Sequence, residues 1–312
     1  MNPVLVTLAF LVGGLLAVQG AANVQLSRAV RSPLGAATLQ LGIAATALIL
    51  VAAVLGTLGA VDRLDDVASW HLVGGLASAA YISAGIILFP RLGALVTMAL
   101  FVAGQMIASV VLDGLGLLGL SRAPVSTDMV VGALAVIAGM TMILTSSRQA
   151  SASPGGRATA ARPLLAASGL LAGAGLPVQA AVNAHLRTDL DAPFTVAAIS
   201  FVVATAAVLV ILAVAFAGRA VPPDVAGLRG MPWWGWLGGL VGASYVTVSL
   251  LAVPQIGAAP TIALSIAGQQ LASALVDHAG LFRLPRRPLT LGRIVAGVVV
   301  LLWGAVVFQL TR

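Results

Sequence analysis

The chain has 312 residues, of which 60% are hydrophobic and only 8% charged, and its formal net charge is +7. Such a composition cannot cover a water-soluble globule with polar surface, so the solvent it implies is a lipid bilayer. Cysteine is absent, which excludes disulfides and cysteine-held metals; every basic side chain is Arg and every acidic one Asp.

A bilayer core of about 30 Å needs roughly 20 apolar residues of helix. Runs of that kind predict spans at 3–24, 34–58, 69–89, 92–112 and 127–146, then at 163–184, 193–217, 233–253, 256–277 and 291–310. No basic residue precedes the first run, so it reads as a mature helix and not as a signal peptide. Ser146 to Arg162, SSRQASASPGGRATAAR, is small, polar and turn-prone, the composition of a linker. The predicted organisation is an N-terminal five-helix unit (1–146), a linker (147–162) and a C-terminal five-helix unit (163–312). Pro177 and Pro260 fall inside apolar runs, where each is expected to kink its helix.

The two units repeat one another. Tyr81 to Asp113 recurs 164 residues later as Tyr245 to Asp277, with 13 of 33 positions identical, among them Tyr81/Tyr245, Pro90/Pro254, Gln105/Gln269, Ser109/Ser273 and Asp113/Asp277. Upstream, with a shift of 160, AVQGAANVQL (Ala17 to Leu26) matches PVQAAVNAHL (Pro177 to Leu186), pairing Gln19 with Gln179 and Asn23 with Asn183. Duplication in an apolar chain is the usual sign of a transporter built from two related halves. Five spans per unit is an odd number, so the second copy enters the membrane from the opposite side and the repeats are inverted. With ten spans, twelve of the 16 arginines fall on one face and four on the other. By the positive-inside rule this places the linker in the cytoplasm and both termini outside. Arginines scattered singly in short loops fit membrane anchoring and argue against nucleic-acid binding. The expected fold is therefore an all-α integral membrane protein of ten transmembrane helices in two inverted five-helix repeats.

Polar residues retained in both copies are the candidate site. Thr97, Gln105, Ser109 and Asp113 lie four or eight residues apart, and Thr261, Ser265, Gln269, Ser273 and Asp277 repeat the pattern, so each set forms one drifting stripe. A polar stripe faces the bundle interior, because lipid offers an amide no partner. Gln105 and Gln269 near mid-membrane could line a substrate path, or the stripe could be interhelical glue at roughly 0.6–2 kcal/mol per bond. Asp113 and Asp277 come late in their spans, where a carboxylate either caps a helix end or pairs with Arg122 or Arg286; under inversion the two lie at opposite faces, an arrangement suited to gates. Ser109 and Ser273 accompany them. Gln19/Asn23 and Gln179/Asn183 are i, i+4 amide pairs placed toward helix ends, suited to binding an uncharged group or to joining helices. Tyr81 and Tyr245 could line a cavity or sit at helix contacts. His71, His185 and His278 are unpaired and unclustered, so no metal site is expected. Trp233, Trp234 and Trp236 read as an interfacial belt. Neither a serine-nucleophile elbow, nor a zinc-protease helix, nor a phosphate-binding loop is present, and no enzyme activity or cofactor is expected.

The paired Q-x3-N-x2-L, the Y-x8-P-x2-G block and the Q-x3-S-x3-D run leading into GLFRLPRRPLTLGRIVAG resemble the YdcZ-like inner-membrane exporters of the drug/metabolite transporter superfamily. The likeness covers nearly the whole chain and looks like the fused, two-repeat form. It implies an EamA-like bundle in a prokaryotic cytoplasmic membrane, monomer or homodimer, exporting a small molecule. The first half departs from the second at Gly114, where the second has His278. The helix-1 glutamate by which small multidrug exporters couple to protons is also missing. Sparse intramembrane charge points to a neutral, amphipathic or zwitterionic substrate moved by alternating access, against the alternative of a passive channel or lipid-translocating protein.

Overall fold

The computed structural model describes residues 2–119, 161–218, 223–256 and 258–288. Among them are eight α-helices: α1 (Pro3–Val30), α2 (Pro33–Val54), α3 (Gly75–Leu92), α4 (Ala94–Leu115), α5 (Ala161–Leu190), α6 (Pro193–Ala217), α7 (Leu237–Ile256) and α8 (Ala258–Ala279). The spans expected at 127–146 and 291–310, and nearly all of the linker, lie outside the described residues. Among the described residues six helical stretches are long and apolar enough to cross a membrane; they lie at α1 to α6, the third running from Ser69 to Leu92. At 20 and 22 residues, α7 and α8 are each about 30 Å long.

Local chemistry explains where helices begin and end. Asn2 and Ser32 cap α1 and α2 by accepting from the backbone N–H of Val4 and Gly35, and a proline follows each cap at the first helical position, where its missing N–H is not needed. The ends of α4 and α8 show the repeat in the backbone itself. Gly116 and Gly280, 164 residues apart, both have φ of 64°, and two residues on Leu118 and Phe282 are left-handed at 53° and 55°. Leucine and phenylalanine are uncommon in that region, so an identical pair of such turns is a feature the two halves inherit together.

Several boundaries differ from the sequence expectation. α1 and α5 continue to residues 30 and 190, about six residues beyond the apolar runs. Gln19, Asn23, Gln179 and Asn183 therefore lie inside long helices and not toward their ends. The third span does not start as an α-helix at 69, since Ser69–Leu72 is a tighter 3-10 turn and α3 opens at Gly75. Pro260 is the third residue of α8, where a first-turn N–H has no intrahelical partner to lose, so the interior kink expected there does not arise. Pro177 does lie inside α5.

The halves interlock. α1 packs on α8 and α7 of the second half, and its counterpart α5 packs on α4 and α3 of the first. α1 and α8 run parallel, with Ser265 donating to the Ala9 carbonyl and Gln25 to the Phe282 carbonyl. Counterpart helices instead run antiparallel. A β-carbon on Gly35 at the start of α2 would touch Pro223 beyond α6, while Thr195 at the start of α6 donates to the Thr57 carbonyl beyond α2.

Two backbone-to-backbone crossings hold this arrangement. A β-carbon on Gly268 would overlap the Phe10 carbonyl oxygen, and one on Gly13 the Ser265 carbonyl. Shifted by 164 and 160, the same contacts recur as Gly104 on the Leu170 carbonyl and Gly173 on the Phe101 carbonyl. In lipid the hydrophobic effect does not draw helices together, so close backbone approach through small residues supplies the packing energy. Large apolar side chains cover the outside: Val54, Leu171, Val210 and Val214 are 87%, 74%, 62% and 68% exposed, a surface suited to acyl chains.

Candidate functional site

The centre of the molecule is built from both halves. Gln269 of α8 is buried and donates through Nε2 to the Tyr81 hydroxyl of α3 at 3.1 Å; the same nitrogen lies against the Met98 sulfur of α4. Tyr81 packs against Phe101 with ring centroids 4.4 Å apart and the rings tilted by 43°. Beside this group is a narrow cavity of about 10 Å³, lined by Gln19, Asn23, Tyr81, Phe89, Met98 and Phe101 among others. That volume admits about one water molecule.

The corresponding positions in the other half are differently disposed. Gln105, the counterpart of Gln269, is half-buried and makes no hydrogen bond to a described residue; Tyr245, counterpart of Tyr81, bonds Ser249. Ser109 is half-buried, whereas Ser273 is fully buried and donates to the Gln270 carbonyl one turn back.

Each amide pair sits where three helices meet. Gln19 donates to the Gly238 carbonyl at 2.9 Å, and Gln40 of α2 to the Gly235 carbonyl at 3.0 Å. The Oδ1 of Asn23 and the Oε1 of Gln40 both lie against the α-carbon of Gly238, buried and without a hydrogen-bond donor among the described residues. In the second half, Gln179 accepts from Ser78 at 2.8 Å and donates to Ser200 at 3.1 Å, and Asn183 donates to Ser200 at 3.3 Å. Gly74 stands against Asn183 as Gly238 stands against Asn23. Gln40 and Ser200 occupy corresponding positions, a relation that sequence reading missed because their side chains differ.

Asp277 is 1% exposed and accepts from the backbone N–H groups of Ala94 and Leu95 at 2.9 and 3.0 Å, which makes it the N-cap of α4. Gly93, the residue in the cap position, has φ of 91° and carries no side chain to do this. The carboxylate also meets the positive end of the helix dipole. Arg287 closes the same corner by donating to the Pro90 and Arg91 carbonyls. Arg286, the partner considered for Asp277 from sequence, donates to the His278 carbonyl. Asp113 occupies the far end of α4, 19 residues after Ala94, or about 28 Å along the axis.

At the corner where α5 ends, His71 and His185 are paired, contrary to the sequence expectation. His71 Nδ1 lies 2.5 Å from Asp189, its ring stacks on His185 at 5.0 Å, and Trp70 packs edge-on against both. His185 bonds the carbonyl of Leu118, the left-handed residue after α4, as Gln25 bonds that of Phe282 after α8. Trp233, one of the expected belt residues, is 74% exposed, and Trp234 packs edge-on against Phe282.

A bundle of long apolar helices, lipid-facing outside and closed around buried amides inside, defines a multi-pass membrane protein. Residues 4–142 and 164–307 each match the family described as "Putative inner membrane exporter, YdcZ", and the chain belongs to that family with two copies of its unit. It is accordingly a multi-pass inner-membrane protein of an exporter family. No curated protein matches the chain. A solved structure described as "Crystal structure of protein" is similar at 18% identity and a TM-score of 0.53, over 96% of this chain and 97% of that one. At that identity the likeness speaks for the fold alone.

Proposed function

We propose that the protein is a secondary transporter that exports a small neutral, amphipathic or zwitterionic molecule by alternating access, with ten transmembrane helices in two inverted repeats. The observation that carries this reading is the antiparallel run of counterpart helices, α2 with α6 and α4 with α8, around buried polar groups drawn from both halves. Antiparallel counterparts are what a two-fold axis in the membrane plane produces, and substrate sites of inverted-repeat carriers lie at the repeat interface near the midplane. The narrowness of the central cavity favours a carrier over an open pore.

In this reading Gln269 and Gln105 hold the substrate, with Tyr81 and Tyr245 beside them and Gln19, Asn23, Gln179 and Asn183 at the border. Asp277 and Asp113, with Ser273 and Ser109, serve opposite mouths. Releasing the Asp277 cap would free the first turn of α4, a local change at one mouth that leaves the glycine crossings intact. The linker lies in the cytoplasm and both termini outside.

The test is transport in proteoliposomes. Saturable uptake with counterflow of unlabelled substrate is the expected result; rapid, unsaturable conduction would replace the carrier with a channel. A reporter at the C-terminus should read extracytoplasmic, and a cytoplasmic signal overturns the orientation.

A further inference from the structure

Gln270 belongs to none of the groups described above. Its side chain is 98% buried, and among the described residues neither its Nε2 nor its Oε1 has a hydrogen-bond partner. By helical register it shares a face of α8 with Ile266, Ser273 and Asp277, the face turned to α4: Ile266 packs on Val102 and Ala103, and Asp277 caps the helix. An amide that lacks both its donor and its acceptor partner inside a membrane is unfavourable, and the fold does not require one here. The counterpart 164 residues earlier is Met106, which packs against the same apolar cluster of Val102, Ala103 and Ile266. An apolar side chain therefore satisfies the architecture, and the glutamine needs another reason.

We propose that Gln270 is a ligand-binding residue that recognises a planar group presenting an N–H donor beside a carbonyl acceptor, that is, a carboxamide, lactam or ureide. The chemistry follows from the amide inventory. Gln270 offers N–H donors and one acceptor oxygen, so a cation would satisfy only the oxygen, an anion only the nitrogen, and a hydrocarbon neither. A coplanar donor–acceptor edge satisfies both at once through two parallel hydrogen bonds. Gln269, one residue earlier, has its Nε2 committed to Tyr81, whereas both ends of the Gln270 amide lack a partner among the described residues. The assignment rests on the transporter reading and narrows its substrate class.

The experiment uses the purified full chain and the variant Gln270→Met, which installs the residue of the other half. Benzamide is the probe, and N,N-dimethylbenzamide, with the same ring and carbonyl but no N–H, is the control. Benzamide should raise the melting temperature of the wild type saturably by about 2 °C or more, the dimethyl analogue should not, and Gln270→Met should weaken binding tenfold or more. The variant without ligand should melt at or above the wild type. A lower melting temperature would mean that Gln270 has a structural partner and would overturn the proposal. Equal benzamide binding by both proteins would remove Gln270 from the site while leaving the transporter reading in place, and no response of the wild type to benzamide would reject the ligand class. Failure of counterflow, with Gln270-dependent binding intact, would reject the carrier and keep the site.

Discussion

The two amide junctions share a backbone but not a chemistry. Around α5, Gln179, Asn183, Ser78 and Ser200 bond to one another, and both ends of the Gln179 amide are occupied. Around α1, the same corner is made of Gln19, Asn23, Gln40 and Gly238, and it leaves the Asn23 and Gln40 oxygens buried without donors among the described residues. Gln19 and Asn23 also line the central cavity, which Gln179 and Asn183 do not. Duplication fixed where the polar groups stand; divergence then let one junction become a closed structural joint and left the other with spare acceptor capacity beside the cavity. The frame and the polar contents are thus separable, and each can be perturbed alone.

The largest effects test the frame. Gly268→Leu and Gly104→Leu each drive a side chain into the facing backbone, at Phe10 and Leu170. Neither variant should yield folded protein by size-exclusion chromatography in detergent. Gly268→Ala and Gly104→Ala should each lose about 1–3 kcal/mol of stability, and by closely similar amounts. If one of the pair is tolerated, the crossings are not equivalent and the comparison between halves fails at its base.

Next in size is the cap that one half supplies to the other. Asp277→Ala leaves the Ala94 and Leu95 N–H groups without their acceptor, and should lower stability by about 3 kcal/mol. Asp277→Asn keeps one carbonyl acceptor and should recover roughly half of that loss in thermal melts. A carboxylate that served gating alone would leave stability unchanged in both variants.

Much of the frame was legible in the sequence because hydropathy and punctuation coincide. The span expected at 193–217 is α6 from end to end, opened by Pro193 and followed by Gly218. The ends of α1 and α5 were not legible, since their last turns carry Gln25, Arg28, His185 and Asp189. Those turns are helical because the other half receives them: Gln25 and Arg28 donate to the Phe282 and Arg283 carbonyls. Gln269 stood out by its recurrence, yet nothing local to it pointed to Tyr81 as its partner, because the bond joins α8 of one half to α3 of the other and not Gln269 to its own counterpart Gln105. Gly104 and Gly268 were present in the aligned block, but in a chain with 35 glycines their recurrence carries little weight until the facing carbonyl is seen. Gln270 escaped notice for the opposite reason, having no copy to mark it.

A smaller contrast separates the junctions themselves. Gln179→Met leaves the buried Ser78 hydroxyl without its acceptor, while Ser200 loses one of its two donors and keeps Asn183, and the change should lower stability by about 2 kcal/mol. Gln40→Met gives up the bond to the Gly235 carbonyl but also removes a partnerless oxygen, so its net effect should stay within about 1 kcal/mol. Equal losses in the two melts would show that the Gln40 oxygen is satisfied and that the junctions do not differ.

The smallest effect on stability is the most informative about function. Gln40→Ser gives the first junction the residue that the second has at Ser200. The shorter side chain leaves a small void and loses the Gly235 bond, while the buried orphan oxygen disappears and a hydroxyl comes within reach of Asn23; these terms oppose, and the melting curve should move by no more than about 1 kcal/mol. Transport should respond differently. If spare acceptors beside the cavity contribute to binding, Gln40→Ser slows counterflow or raises the half-saturating substrate concentration severalfold in a protein that is otherwise intact. Unchanged kinetics would place binding wholly at the Gln269 side of the centre, and the difference between the junctions would then be divergence without consequence for transport.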